Sequence, residues 1–392
     1  MSGRARVLLV GGGHSHLEIL RRHILKPHPG ISLTLVSAAS KHHYSGMVPG
    51  FLAGTYREAE IAFDLAALSA SAGSRFLEGQ AVSVDPTRRV VRMADGEEVG
   101  YDLVSFGVGS STRGSSLPGV QEHAWTVKPI GRAVALRAAL MELASRSGGE
   151  AARAVVVGSG AAGIEVACAA AAVFHRTGRS RELTIVGDGK EILEGYSPRM
   201  RRRAVRVLEA KQCSILLGAR VAEVRPDSVR LSDGREIPSD LTVWLTGPAA
   251  YGLFEGSGLA LDKRGYLLVD DALRSVSDGR VFGAGDCATL SSHPHTPKAG
   301  VYAVREGPVL WKSLVATVEE TSLPRYVPQG DFLSILNTAD GRALLRYRGI
   351  VSGSRWAWRL KDRIDRHFMR KYQTLEPEAL LSPGSKRTST AR

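Results

Sequence analysis

Ala154-Val155-Val156-Val157 runs straight into Gly158-Ser159-Gly160-Ala161-Ala162-Gly163, and an alanine-rich stretch carries on to Phe174. An uninterrupted apolar run of this kind suits a strand buried on both faces. The glycines sit at the first, third and sixth positions of a turn that opens a helix. Gly158 permits the tight turn, Gly160 lets the backbone approach a pyrophosphate, and Gly163 lets helix and strand pack closely. The helix N-terminus adds unpaired N–H groups and the positive end of its dipole. A second strand follows at residues 183–186, but the acid that would grip a ribose at its end is displaced: Gly187 holds the position and Asp188 follows. Lys190 is the nearest base to the position a 2′-phosphate would take, and the arginine cluster at 199–206 reads as a solvated helix face.

Working outward, the pattern occurs twice. Residues 7–10 form an apolar run that enters Gly11-Gly12-Gly13-His14-Ser15-His16, followed by a helical stretch to Arg22 and a second strand at 32–36. Gly11 and Gly13 fill the first two glycine roles, and His16 stands where the third would be. His14 and Ser15 open the helix, where a neutral imidazole and a hydroxyl can donate to phosphate; packing or solvent exposure is the alternative for the two histidines. Ser37 replaces the ribose-binding acid, and its hydroxyl can hold a ribose less strongly. Each half then carries an Asp-Gly hairpin signal, Asp95-Gly96 and Asp233-Gly234. Each hairpin leads to a similar strand, around Asp102 and Asp240, 138 residues apart. A third element, Arg280-Val281-Phe282-Gly283-Ala284-Gly285-Asp286, returns to the first type, with a helix starting near Lys298–Gly300.

The expected fold class is therefore α/β: two Rossmann-like dinucleotide-binding domains, the second inserted in the first, plus a small C-terminal region ending in a basic helix. The expected boundaries are 1–125 with 270–322 for the first domain, 126–269 for the second, 323–372 for the C-terminal region and 373–392 for a disordered tail. The polar, aperiodic end from Ser382 motivates the last of these.

The 392 residues are 43% hydrophobic and 23% charged, which suits a globular protein. No apolar run is long enough to span a bilayer. A strand-like run begins almost at the N-terminus, so no signal peptide is expected and a cytoplasmic location follows. Cys168, Cys213 and Cys287 form no local dithiol and no zinc-ligand spacing, so no metal site is expected. The net charge of +13 suits a nucleic acid, an anionic membrane surface or an anionic substrate. There is no helix-turn-helix, zinc-finger or aromatic-platform motif for nucleic acid.

The order of the three elements resembles the two-dinucleotide-domain flavoprotein superfamily of type-2 NADH dehydrogenases, sulfide:quinone reductases and pyridine nucleotide-disulfide reductases. A narrower set of motifs is similar to the flavoprotein module fused to, or associated with, selenide, water dikinase. These are Gly11–His16 with Leu17-Glu18, Tyr44-Ser45-Gly46-Met47-Val48-Pro49-Gly50, Pro297-Lys298-Ala299-Gly300-Val301, Arg305-Glu306-Gly307 and residues 358–370. The likeness runs from about Val7 to Tyr372, and no kinase portion follows.

The resemblance implies non-covalent FAD as cofactor and NAD(P)H as co-substrate. Gly11 and Gly13 would hold the FAD pyrophosphate, Val82 would meet adenine through its backbone, and Tyr44 to Pro49 would line the isoalloxazine. Gly285 and Asp286 would hold the ribityl-phosphate, and Lys298 with Ala299 would sit by the flavin N1–O2 edge. Glu165 would face the nicotinamide–flavin junction; its plainer role is a helix N-terminal carboxylate complementing the dipole. Three departures stand out. No cysteine pair lies beside Tyr44–Pro49, only Cys287 lies near the expected flavin site, and Ala299-Gly300 replaces the Ala-Gln of quinone-reducing relatives.

Three readings remain open on the sequence. One is an NAD(P)H oxidoreductase delivering electrons to a quinone or small redox acceptor, a selenium compound among the candidates. The second is quinone reduction from a non-nicotinamide donor, and the third a flavin-bound binding or sensing module. In the last helix Trp356, Leu360, Ile364, Phe368 and Tyr372 recur every four residues, and residues 355–372 carry seven Lys or Arg against two Asp. Such a helix suits an anionic membrane surface, docking on the FAD domain, or a homodimer contact.

Overall fold

The computed structural model describes residues 3–146, 151–178 and 180–373. The expected disordered tail, beyond Gln373, lies outside them.

Four strands begin the first sheet: β1 (Ala5–Val10), β2 (Ile31–Ser37), β3 (Arg75–Glu78) and β4 (Leu103–Phe106). The second sheet is β5 (Ala124–Thr126), β6 (Ala152–Val157), β7 (Arg181–Val186), β8 (Cys213–Leu216) and β9 (Leu241–Trp244), in the order β5-β9-β6-β7-β8. β5 straddles the boundary expected at 125/126 and pairs with the second sheet. β10 (Val281–Gly283) then returns to the first sheet, giving β10-β4-β1-β2-β3. All these pairings are parallel. The central strands β1 and β6 are apolar over their last four residues because both faces are buried there; one face of β6, Val155 and Val157, packs on Val221, Val229 and Leu231 of an antiparallel sheet.

Register decides where a site can form. In the first sheet Val10 pairs with Val36 and Phe106, and Phe106 with Gly283. In the second, Val157 pairs with Val186 and Trp244. The glycine turns therefore emerge level with one another at the carboxyl ends of each sheet, where open α/β sheets bind ligands.

Helices α1 (His14–Leu25), α2 (Ala161–Thr177) and α3 (Gly300–Val318) start from these turns. A three-stranded antiparallel sheet of β11 (Ser334–Asn337), β12 (Ala343–Tyr347) and β13 (Ile350–Ser354) follows, and α4 (Arg355–Gln373) closes the described chain. Among the described residues, no helix is long and apolar enough to cross a membrane.

The helix α4 does not present its aromatic repeat as one stripe. Steps of four residues advance about 40° beyond a full turn each time in a helix of 3.6 residues per turn, so the row winds round the cylinder. Trp356 and Ile364 end on the outside, while Tyr372 is buried and Phe368 packs inward. The face turned to the protein carries Ala357, Lys361, Asp365 and Met369.

Candidate functional site at the carboxyl ends of the two sheets

In the first crevice Gly11 has φ +94°, and a Cβ there would lie 2.7 Å from the Gly107 carbonyl oxygen. A Cβ on Gly13 would lie 2.4 Å from the same oxygen. No side chain larger than hydrogen fits between these two loops. His16 replaces the third glycine without opening the turn. Its Nδ1 lies 2.6 Å from the Gly11 carbonyl, which can only accept, so Nδ1 carries the proton and Nε2 accepts from the Ser105 hydroxyl at 2.9 Å. Gly107 leaves room for the ring, since a Cβ there would lie 2.9 Å from His16 Cε1. Burial holds the imidazole neutral, its pKa lowered to about 4. His16 is thus a structural pin rather than a phosphate donor.

His14 is buried beside it, with ring centroids 5.4 Å from His42 and 5.6 Å from Tyr44. Burial lowers its pKa to about 4 as well, and its Nδ1 has no partner within the protein. The start of α3 meets the same pocket: a Cβ on Gly300 would lie 3.4 Å from His14 Cδ2. Tyr44 packs on Phe368 of α4 at 4.6 Å, and Pro49 is buried in the short helix Val48–Leu52. Ser15 is buried at the helix start, whereas Ser37 is half-buried at the end of β2. Val82, on the strand Ala81–Asp85, is 41% exposed, so its side chain takes no part.

Gly285 donates its N–H to Glu306 Oε2 at 2.5 Å, and Asp286 Oδ2 accepts from the Ser110 hydroxyl at 2.9 Å and from Lys128 Nζ at 3.1 Å. Burial raises the Glu306 carboxyl to about 7. A small cleft opens here, lined by Gly285, Asp286, Lys298, Ala299 and Glu306 among others. The Lys298 amine was expected at the flavin edge. It lines this cleft and donates to the Ala288 carbonyl and the Thr289 hydroxyl, 4.2 Å above the Tyr266 ring. A largely buried ammonium must find acceptors, and the strand Ala288–Leu290 offers them. Burial lowers its pKa.

In the second crevice Gly158 has φ +129°, and a Cβ on Gly163 would lie 1.8 Å from the Gly158 carbonyl oxygen. The displaced acid has a steric cause: a Cβ on Gly187 would lie 2.5 Å from Ser159 Oγ, so the carboxylate moves on to exposed Asp188. Helices α1, α2 and α3 all begin without a side-chain cap and without an acid in the first turn. Their leading N–H groups therefore stay available for an anionic ligand. Gly160, the residue before α2, has open space around its Cβ position.

Glu165, on α2, reaches the C-terminal sheet. Its Oε1 accepts from the Asn337 N–H at 2.7 Å. Burial raises its pKa to about 7 against the pull of Lys361. Lys361 Nζ donates to the Gly46 carbonyl at 2.7 Å and to Asp365 Oδ2 at 2.8 Å, and the Tyr44 hydroxyl donates to Asp365 Oδ1 at 3.2 Å. The last helix is thus docked on the first domain, which settles one of the three placements its sequence allowed.

Sequence reasoning did not assign roles to Ser110, Lys128, Glu306, Lys361 or Asp365. Glu306, Lys361 and Asp365 fall inside the motifs that carried the narrow resemblance. Ser110 and Lys128 carry no local signal, because only the return of β10 brings Asp286 to them.

All three cysteines are buried and free. Cys287 Sγ points at the Phe106 and Ala284 carbonyls, and burial raises its pKa to about 11.

Two parallel nucleotide-binding sheets, each opening on a close-approach glycine turn and bridged by the Asp286–Lys128 pair, define a two-dinucleotide-domain oxidoreductase. The chain belongs to the pyridine nucleotide-disulphide oxidoreductase family, whose model matches residues 5–307. It is 33% identical over 232 residues to an NADH dehydrogenase-like protein of Mycobacterium tuberculosis, over 55% of this chain and 56% of that one. The match thus spans little more than half the length of that relative. The type II NADH:quinone oxidoreductase of Haemophilus influenzae is 22% identical, covering 84% of this chain and 85% of that one. Among solved structures, the sulfide:quinone oxidoreductase of Aquifex aeolicus shares the fold with a TM-score of 0.79 at 17% identity, covering 95% of this chain and 92% of that one.

Proposed function

We propose that the protein is an FAD-dependent oxidoreductase that takes electrons from NAD(P)H and delivers them to a quinone or a small redox acceptor. The observation that carries this is the pair of glycine turns at the carboxyl ends of two parallel sheets, each pressed against the neighbouring loop, with the Asp286–Lys128 pair between them. The residues present fit FAD. Gly11 and Gly13 with the starts of His14 and Ser15 receive its pyrophosphate, the orphaned His14 Nδ1 faces a polar ligand group, and Asp286 accepts from its ribityl hydroxyls. Tyr44 and Pro49 line the ring, Ala299 leads α3 toward its pyrimidine edge, and the Val82 backbone is left for adenine. When bound, FAD supplies the hydride-accepting chemistry.

Gly158, Gly160 and Gly163 receive the nicotinamide dinucleotide and Asp188 its ribose, which leaves Glu165 at the junction. The first domain is then 1–125 with 270–322, the second 126–269, and 323–372 the C-terminal region. The relatives, an NADH dehydrogenase-like protein and a type II NADH:quinone oxidoreductase, support the donor and a quinone-type acceptor. The narrower resemblance keeps a selenium compound among candidate acceptors. Exposed Trp356 (53%) and Ile364 (42%), beside exposed Arg355, Arg359 and Arg363, support peripheral contact with an anionic membrane surface from the cytoplasm. The test is turnover of the purified protein with NADH or NADPH and a soluble quinone. Absence of turnover with every donor and acceptor supplied favours the binding or sensing reading. Turnover only with another donor favours the non-nicotinamide one.

A further inference from the structure

Asp286 and Ser110 lie on segments that leave or rejoin the first sheet, but the cation they share comes from the second. Lys128 Nζ donates to Ser110 Oγ at 2.5 Å and to Asp286 Oδ2 at 3.1 Å. It stands two residues beyond β5, the edge strand of the second sheet. Three passages of the chain meet at this point. Ser110 is on the outgoing connection from β4, next to Ser111, which pairs with Ala249 on the connection that leaves β9. Asp286 follows β10, the strand that rejoins the first sheet. Lys128 is fixed from its own side. The Thr126 hydroxyl donates to the Lys128 carbonyl at 2.9 Å, Arg132 donates to Thr126 at 3.2 Å, and the Arg132 N–H closes the turn on the Pro129 carbonyl at 2.9 Å. The Lys128 and Asp286 side chains are 29% and 17% exposed, so water screens the pair only in part.

The charges at the first crevice give this cation a purpose. The two phosphates of FAD and the Asp286 carboxylate are all negative. The turn at Gly11 and Gly13 offers N–H groups and the dipole of α1, but no charged side chain. Its two histidines are held neutral by burial, with pKa values lowered to about 4. Lys298 lines the same cleft, with its donors on the Ala288 carbonyl and the Thr289 hydroxyl. Among the described residues, Lys128 is the cation in ion-pair contact with Asp286. The flavin itself gains negative charge when it takes a hydride: NAD(P)H + FAD → NAD(P)⁺ + FADH⁻. A positive charge held beside it favours the reduced form.

We propose that Lys128 is a positioning residue of the flavin site supplied by the second sheet: it holds Asp286 toward the ribityl chain, and its charge raises the reduction potential of the flavin. The inference rests on the reading of that site as one for FAD. In consequence the first nucleotide-binding unit is incomplete without the second, and the placement of the second unit sets both how tightly the flavin is held and how readily it is reduced.

The experiment compares full-length, FAD-loaded Lys128→Met, Lys128→Arg and Asp286→Asn with the wild type. The two-electron midpoint potential is measured by equilibration with a reference dye, and FAD affinity by equilibrium dialysis of the apoprotein. Lys128→Met should shift the flavin about ten-fold toward its oxidised form, a fall of about 30 mV, and weaken FAD binding about ten-fold. Lys128→Arg should stay near the wild type, and Asp286→Asn should move the potential up. An unchanged potential in Lys128→Met, an equal fall in Lys128→Arg, or a fall in Asp286→Asn overturns the proposal, because a merely structural role would not follow the sign of the charge. Should Lys128→Met lose FAD, Lys128→Gln, which keeps a donor to Asp286, takes its place under the same criterion. If both neutral variants are empty, FAD retention restored in Lys128→Arg supports the proposal and an equally empty Lys128→Arg overturns it. A wild type that neither carries nor binds FAD overturns the functional reading itself. One whose flavin NAD(P)H cannot reduce overturns only the choice of donor, since the dye potentials need no nucleotide.

Discussion

His16 Nδ1 lies 2.6 Å from the carbonyl oxygen of Gly11, so the residue that breaks the glycine pattern also fastens the turn. In the second domain Gly163 reaches the equivalent carbonyl, of Gly158, by having no side chain, since a Cβ there would lie 1.8 Å away. One turn is closed by absence and the other by a hydrogen bond. Replacing His16 with Ala leaves a cavity and an unpaired Gly11 carbonyl and Ser105 hydroxyl, a loss of about 2–4 kcal/mol. A lower melting temperature and weaker flavin retention are expected, and an Ala variant as stable as the wild type would contradict the pin. The same imidazoles make the protein acid-sensitive. His14 and His16 have pKa values lowered to about 4 and His42 to about 3, all by burial. Depressed values mean that their contribution is present above about 6.5, the unfolded value. It falls away as the pH drops through about 4. Melting temperature against pH checks this, and His42→Phe should flatten the acid limb.

Asp286 accepts from both Ser110 and Lys128, and the proposed site has its carboxylate accept from a ribityl hydroxyl as well. Loss of a charged acceptor is worth roughly 1.5–3 kcal/mol. Asp286→Ala should therefore weaken FAD binding by about ten-fold to over a hundred-fold. Equilibrium dialysis of the apoprotein with FAD measures it, and an unchanged affinity would remove Asp286 from the site.

No cysteine should be needed for flavin reduction. Burial raises Cys168 and Cys213 to about 12 and Cys287 to about 11, so none is a thiolate at neutral pH. Single Ser replacements should leave NADH-driven flavin bleaching within a few-fold. A slowing of about a hundred-fold, or 2.7 kcal/mol of barrier, at Cys287 would point to sulfur or selenium chemistry at that thiol.

The two nucleotide-binding units, their order and the returning strand at Asp286 were legible because parallel buried strands and glycine turns leave local signatures. The placement of α4 was not. A four-residue aromatic repeat winds around the helix, and only the docked structure shows that Phe368 and Tyr372 face the FAD domain while Trp356 and Ile364 face out. Lys128 and Ser110 were silent for another reason: they meet Asp286 across 158 and 176 residues of chain. The shift of the acid from Gly187 to Asp188 was visible, but its cause, the Ser159 side chain, needed coordinates.

Removal of α4 separates its two faces. Truncation after Gly353 strips Tyr44 and Glu18 of buried partners, so the product should be poorly soluble or flavin-free. The double variant Trp356→Ser, Ile364→Ser should keep its FAD and lose sedimentation with anionic vesicles. Unchanged sedimentation would show that the exposed patch does not meet membrane.

In the proposed function electrons enter through nicotinamide and reach a flavin bound at Gly11, Gly13 and Asp286. The most direct measurement is an anaerobic titration of the purified yellow protein with NADH and with NADPH, following the flavin absorbance. Bleaching should be complete at one equivalent of one or both nucleotides, and denaturation should release intact FAD. A protein that carries no flavin, or whose flavin dithionite bleaches but neither nucleotide does, would contradict that function.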